Sequence, residues 1–292
     1  MPLDPKNAVP PSASAVRREI ARRVATAHQA IGDDALLAFV SGSVVDDIAD
    51  AKSDIDMSVV FQQLPTEADL AAACRRAGGT DWFWCTGALS DEGMVVAFRV
   101  DEIEVQIGYS DARTLHAQVD TLLVEHNPDT PLHKLAEGIL KAELLAGAEQ
   151  LAALQTRLGA FPPELARAMI EHHLRQLTPW RAIDQLLDRD AALWCREEMV
   201  NACYAVFGTL AGLNQRYFTR FQFKRMRRFA ATLRLSPIDL AARVELLLEA
   251  PTRAAFAQLF TLEGDVLALV AAHAPEVDLS RVHRRRAGFN PY

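Results

Sequence analysis

Between Phe39 and Phe61 the chain reads FVSGSVVDDIADAKSDIDMSVVF, and its last third sets two aspartates, Asp54 and Asp56, into an apolar, β-branched run. Residues two apart on a strand point the same way. Asp54 and Asp56 therefore share one face, and Ile55, Met57 and Val59 take the other, which is what a core wants. Two carboxylates this close repel, so either one keeps its proton or a cation sits between them. A divalent ion with oxygen ligands is the economical answer, since Mg²⁺ is commonly held by one or two carboxylates plus substrate phosphates.

Phosphates need their own seat, and Gly42-Ser43 lie just upstream, at the end of the preceding apolar run ALLAFVS. Glycine lets a backbone come close to a phosphate, and the serine offers a hydroxyl. A helix starting at residue 44 would turn its free N–H groups to the same spot. Strand, Gly-Ser, helical turn and a strand bearing Asp-Ile-Asp together outline a metal-nucleotide site.

Periodicity places this segment in a wider plan. Residues 14–31 read as a helix, with Ser14 as cap and Val16, Ile20, Val24 and Ala27 as apolar stripe. Residues 35–41 and 54–62 read as strands, and a helix runs from Pro65-Thr66 to Arg76, ending at Gly78-Gly79. Residues 81–86, 94–100 and 103–109 are aromatic, β-branched or alternating, hence strands, with Asp101-Glu102 as a tight turn. Strand signals then stop. Residues 111–125 and 132–158 have helical periodicity, and five or six helices are expected between Asp111 and His273. The expected class is α+β: a flexible N-terminus over 1–13, a small mixed-sheet module over 14–125, an all-helical module over 126–280 and a basic, solvated tail over 281–292.

Bulk properties narrow the function classes. A net charge of −7 over 292 residues argues against a general nucleic-acid or membrane-surface binder, which needs a basic field. Cys74, Cys85, Cys195 and Cys203 have no CxxC spacing and read as small buried hydrophobes in a reducing compartment. With no hydrophobic signal core and no bilayer-length apolar run, the expected location is the cytoplasm. P-loop, GxGxxG and HExxH sequences are absent, and the adjacent His172-His173 lack the four-residue spacing of a helical zinc site. Trp82, Trp84 and Trp180 read as core rather than as a stacking platform.

The spacing of Gly42-Ser43 and Ser53-Asp54-Ile55-Asp56-Met57 resembles the polymerase-β-like nucleotidyltransferase superfamily. The resemblance implies a third carboxylate on a later strand of the same sheet. Glu104, between Ile103 and Val105, fits that position; Gln106 shares its face without a charge, and Glu102 belongs to the turn. In small-molecule members such as the aminoglycoside adenylyltransferases a helical domain follows, and 213-LNQRYFTRFQFKRM-226 is similar to a segment of bacterial members, which implies that Lys224 reaches the triphosphate. Two positions depart from the pattern: Val44 stands where a basic or polar residue is usual, and Asp47 where glycine is. Asp46 and Asp47 add negative charge beside the expected phosphates.

The resemblance implies an enzyme holding Mg²⁺, in a two-metal site, on Asp54, Asp56 and Glu104, with the phosphates of ATP or another NTP over Gly42-Ser43. AMP would pass to a hydroxyl of a small molecule such as an antibiotic. A protein side chain is a second acceptor class. A nucleotide-sensing or partner-binding module without turnover is the alternative from another class, and Asp46-Asp47 are the feature that favours it.

Overall fold

The structure, a computed structural model, describes residues 12–31, 35–89, 93–178 and 180–287. Most of the N-terminal lead-in and the last residues of the tail lie outside these. Helix α1 (Ala13–Gln29) is capped by Ser12, whose hydroxyl accepts from the Ala15 N–H at 3.2 Å. Ser14 lies inside the helix instead of capping it. The buried positions run Ser14, Arg17, Ile20, Ala21, Val24, Ala25 and His28, one face at helical spacing. Val16, expected on that face, is exposed, and Arg17 is buried.

Strands β1 (Ala35–Ser41) and β2 (Ile55–Phe61) pair antiparallel. Helix α2 (Glu67–Arg76) follows, with Thr66 accepting from the Asp69 N–H as its cap. Strands β3 (Trp84–Ala88), β4 (Gly93–Val100) and β5 (Ile103–Asp111) form an antiparallel meander. Asp101 and Glu102 join β4 to β5 with φ of 49° and 64°, the two successive left-handed residues that a two-residue hairpin loop favours. β5 then pairs parallel with β2.

The stretch 132–158, expected as helix throughout, divides. After α3 (Ala112–Leu123) come α4 (Leu132–Lys141), a strand β6 (Glu143–Ala146) and α5 (Ala148–Gly159). β6 pairs antiparallel with β1 and completes a mixed sheet in the order β3-β4-β5-β2-β1-β6. Gly147 permits the break. Its φ is +79°, and a Cβ there would stand 2.1 Å from the Leu36 carbonyl oxygen. Helices α1 and α2 bury Ile20, Val24, Leu70 and Cys74 against Val40, Ile55, Met57, Val59, Phe98, Val105 and Ile107 on one face of the sheet. Beneath them, Tyr109 Oη lies 2.7 Å from His28 Nε2, while the Trp82 indole N–H donates to Cys74 Sγ at 3.4 Å. Trp84 and Cys85 depart from expectation: both are exposed on the edge strand β3.

The chain divides into two compact units, the first reaching Asp120 and resuming over Ala136–Ala160, the second comprising Thr121–Leu135 and Phe161 onward. Where one crossing near residue 125 was expected, the chain crosses after Asp120, Leu135 and Ala160. The second unit holds α6 (Pro163–Arg175), α7 (Trp180–Leu187), α8 (Ala192–Leu213), α9 (Met226–Ala231), α10 (Leu240–Glu249), α11 (Arg253–His273) and α12 (Ser280–Arg286). Among the described residues nine helices lie between Asp111 and His273, more than the five or six expected. The short α7 and α9 and the split of 132–158 account for the excess. By length and composition α11 is apolar enough to cross a bilayer, but it packs on α8 and α10 and carries the buried Glu263.

The basic tail is also a correction. Through Arg286 it is helical, and two of its cations are engaged while Arg281 and Arg284 are exposed. Arg285 donates to the carbonyls of Arg175 and Leu177, and Arg286 donates to Glu263 Oε2 at 3.0 Å and to the Phe260 carbonyl at 2.7 Å. Glu263 also accepts from the Thr178 N–H and hydroxyl and from the Trp180 indole. Burial pushes the Glu263 carboxyl up, against the pull of those donors and of Arg286.

His173 on α6 is buried against Gly208 of α8, where a Cβ would stand 2.3 Å from His173 Nε2. That nitrogen has no hydrogen-bond partner among the described residues. Burial, aided by His172, His133 and Arg220 and opposed by Asp129, lowers the imidazole from 6.5 to about 4. As pH falls from about 6.5 toward about 4, the unfolded chain takes up a proton that the folded one refuses. Folding stability is lost across that window and levels below it, by on the order of 2–4 kcal/mol. Thermal melts over this range should show a steeper decline for the parent than for His173→Gln. Parallel curves would mean that His173 does not resist protonation.

Candidate nucleotide site on the first unit

The face of the sheet opposite α1 and α2 carries the polar residues. Cross-strand pairing sets Ser41, Asp56 and Gln106 in one row over β1, β2 and β5, with Ser58 beside Gly108 one step along. The alternation predicted for β2 holds: Ile55, Met57 and Val59 are buried, while Asp56 and Ser58 are half-buried. Asp54 is half-buried just before the strand begins.

The β1–β2 connection closes back on this row. Gly42 has φ +71°, a left-handed conformation that favours glycine. A Cβ at Gly42 would stand 2.6 Å from Asp56 Oδ2, so the Gly-Ser turn and the Asp-Ile-Asp strand meet at one point. Any side chain here would displace the carboxylate, and the missing Cβ leaves room over it.

No helix begins at residue 44. Residues 42–47 form a turn, in which the Asp46 N–H reaches the Gly42 carbonyl at 3.4 Å and the Ile48 N–H reaches that of Ser43 at 3.1 Å. Asp47, at φ 55°, ends the helical sense. The anion seat expected from a helix N-terminus is thus reduced to a turn.

Asp47 is tied to α1. Its carboxylate is paired with Arg18 at 2.7 Å, and the same guanidinium reaches Glu143 of β6 at 2.6 Å and the Val44 carbonyl at 2.9 Å. Hydrogen bonds to Asp47 and Glu143 raise the Arg18 pKa further above its usual value. The acidic pair that set this loop apart from the nucleotidyltransferase pattern is thus partly neutralised from α1.

Glu104 faces the same side as Asp56 but one alternation away, and Gln106 stands directly opposite Asp56. The Gln106 amide donates to Glu104 Oε1 at 2.8 Å. Among the described residues no three His, Cys, Asp or Glu side chains are grouped closely enough to hold a metal ion. Asp54, Asp56 and Glu104 are therefore not a closed three-carboxylate cage. Two hard carboxylates beside an open turn still suit Mg²⁺, which binds through one or two carboxylates and completes its shell with water and substrate phosphates. Lys224 belongs to the second unit, exposed in the loop before α9.

No family model matches the chain, and no curated protein matches it. Among solved structures, it is similar to a nucleotidyltransferase-like protein from Exiguobacterium sibiricum, with 15% identity over 91% of this chain and 80% of that one and a TM-score of 0.45.

Proposed function

We propose that the protein is a nucleotidyltransferase that moves AMP from ATP to a hydroxyl of a small molecule. The observation that supports this reading is the closure of the Gly42 turn on the Asp56 carboxylate, which brings together a residue proposed to seat phosphate and one proposed to hold the metal. Asp54 and Asp56 would hold Mg²⁺, with Gly42 and Ser43 at the triphosphate. The ion, when bound, would neutralise charge on the phosphates. Positioning would supply most of the rest.

Glu104 serves as general base in this reading, taking the proton of the acceptor hydroxyl as that oxygen attacks the α-phosphorus and pyrophosphate leaves. A carboxylate oriented by the Gln106 amide suits that task. An acidic chain suits a cationic acceptor of the aminoglycoside kind, and the cytoplasm supplies ATP and Mg²⁺. The pairing of Asp47 with Arg18 weakens the case for a non-catalytic nucleotide sensor, which rested on uncompensated acids beside the phosphates.

The test is transfer of label from α-labelled NTPs to a panel of hydroxylated acceptors and to proteins. Mg²⁺-dependent incorporation into a small molecule with pyrophosphate release is expected. Labelled protein alone would move the assignment to a protein-modifying enzyme. ATP binding without release of pyrophosphate would return it to a sensor.

A further inference from the structure

Three side chains of α1 grip the β1–β2 loop in chain order. Arg18 Nη2 donates to the Val44 carbonyl at 2.9 Å, and Nη1 pairs with Asp47 at 2.7 Å. Ser14 Oγ accepts from the Ala49 N–H at 3.3 Å. Arg17 Nε donates to the carbonyl of Ser53, the residue before Asp54, at 2.9 Å. Positions 14, 17 and 18 have the i, i+3, i+4 spacing that puts side chains on one helix face. Ser14 and Arg17 are 3% and 4% exposed, values that in arginine call for a fixed partner. Arg17 Nη1 returns to the Ala13 carbonyl at 3.1 Å, which anchors the guanidinium at the start of the helix. Arg18 extends the grip to β6 through Glu143.

The loop so held begins at Gly42 and ends at Asp54, the two ends of the proposed nucleotide site. Its own bonds close two separate turns, one over residues 42–48 and one in which the Ser53 N–H reaches the Asp50 carbonyl at 3.2 Å, and Ser14, Arg17 and Arg18 tie both turns and the Ala49 amide between them to α1.

We infer that the first turns of α1 belong to the nucleotide site as its splint: Arg17 fixes the chain entering Asp54, and Arg18 fixes the turn at Gly42-Ser43 while cancelling the Asp47 charge for an incoming triphosphate. Both are positioning residues and touch no substrate. The inference rests on the nucleotidyltransferase reading for the identity of the ligand. The holding of the loop stands apart from it.

Two measurements separate these parts. Hydrogen exchange reads the loop without nucleotide: Arg18→Ala should speed exchange of the Ile48 and Ala49 amides, and Arg17→Ala that of the Ser53 amide, with the sheet amides unchanged. Exchange equal to the parent would overturn the splint. Titration with ATP and Mg²⁺ reads the ligand: Arg18→Ala should weaken affinity roughly 10-fold, the scale of outer-shell loss at such sites. Adding Asp47→Asn should recover part of it, because the uncompensated charge is then gone. A mere packing defect would not be relieved by that second change, and absence of relief overturns the charge-cancelling role. A parent that binds no ATP would sink the nucleotidyltransferase reading, while exchange still decides the splint. Should Arg17→Ala fail to fold, Arg17→Lys keeps the charge and loses the fixed fork, and Ser53 exchange decides in that variant.

Discussion

Replacing Asp56 by Asn should lower nucleotidyl transfer by at least about 100-fold, corresponding to roughly 3 kcal/mol of lost transition-state stabilisation. The substitution keeps volume and removes the charge. The site would lose one of two hard anionic ligands, and Asn in its place still fits under the Gly42 turn, where Asp56 Oδ2 now lies 2.6 Å from the position of an added Cβ. Folding should be preserved, because Asp56 is half-buried on the polar face and Ile55 and Met57 make the core contacts. Steady-state kinetics should separate two roles. Asp56→Asn should raise KM for ATP and lower kcat, since a carboxylate that would hold Mg²⁺ beside the phosphates would act in both binding and reaction. Glu104→Gln lowers kcat by on the order of 10²-fold with KM for ATP little changed, as loss of a general base does. Equal KM shifts in both variants would place Glu104 among the ligands, and an unaltered rate in Asp56→Asn would remove the metal-nucleotide reading altogether.

The largest stability effect is expected in the second unit. Glu263→Ala should cost about 3–5 kcal/mol, since it leaves the Arg286 guanidinium facing a dry cavity without its counter-charge. The Glu263 side chain is 0% exposed and that of Arg286 10%, with the guanidinium 3.7 Å over the Phe260 ring. The Thr178 and Trp180 donors are orphaned by the same change. A fall of roughly 10 °C in Tm is the corresponding shift for a domain of this size. The double variant Glu263→Leu, Arg286→Met should recover part of the loss, because it removes the unpaired charge while the Thr178 and Trp180 donors stay unsatisfied. If Glu263→Ala alone melts with the parent, α12 is not held by this pair.

The parts legible in the sequence were those fixed by local period. Ile55, Met57 and Val59 announced the core face of β2, and Asp101-Glu102 announced the hairpin turn. The Gly42-Ser43 and Asp-Ile-Asp spacing marked the two halves of the candidate site, and the structure supplied the contact between them. What stayed hidden was non-local. Leu144 and Leu145 suit a helical stripe as well as a strand, and pairing with β1 decides between the two. Gln106 has no charge to single it out, yet the parallel register of β2 and β5 puts it beside Asp56. Arg285 and Arg286 fall in a tail expected to be solvated, and nothing local marks Arg17 as buried, because arginine is usually exposed. Their partners, the Ser53 carbonyl and Glu263, are distant in the chain and carry no local signal.

The late arrival of β6 sets an order on synthesis. Ala38 of β1 pairs with Ala146, more than a hundred residues downstream. At ribosomal speed β1 emerges about 5–20 s before the strand that will cover its open edge. Through that interval the apolar run ALLAFV offers unpaired backbone to any passing chain. A fragment that stops after the first helix beyond β5 would keep that exposure permanently. Such a fragment should aggregate where the whole protein does not, and the smallest soluble piece bearing the Asp-Ile-Asp strand should reach past β6 to about Ala160.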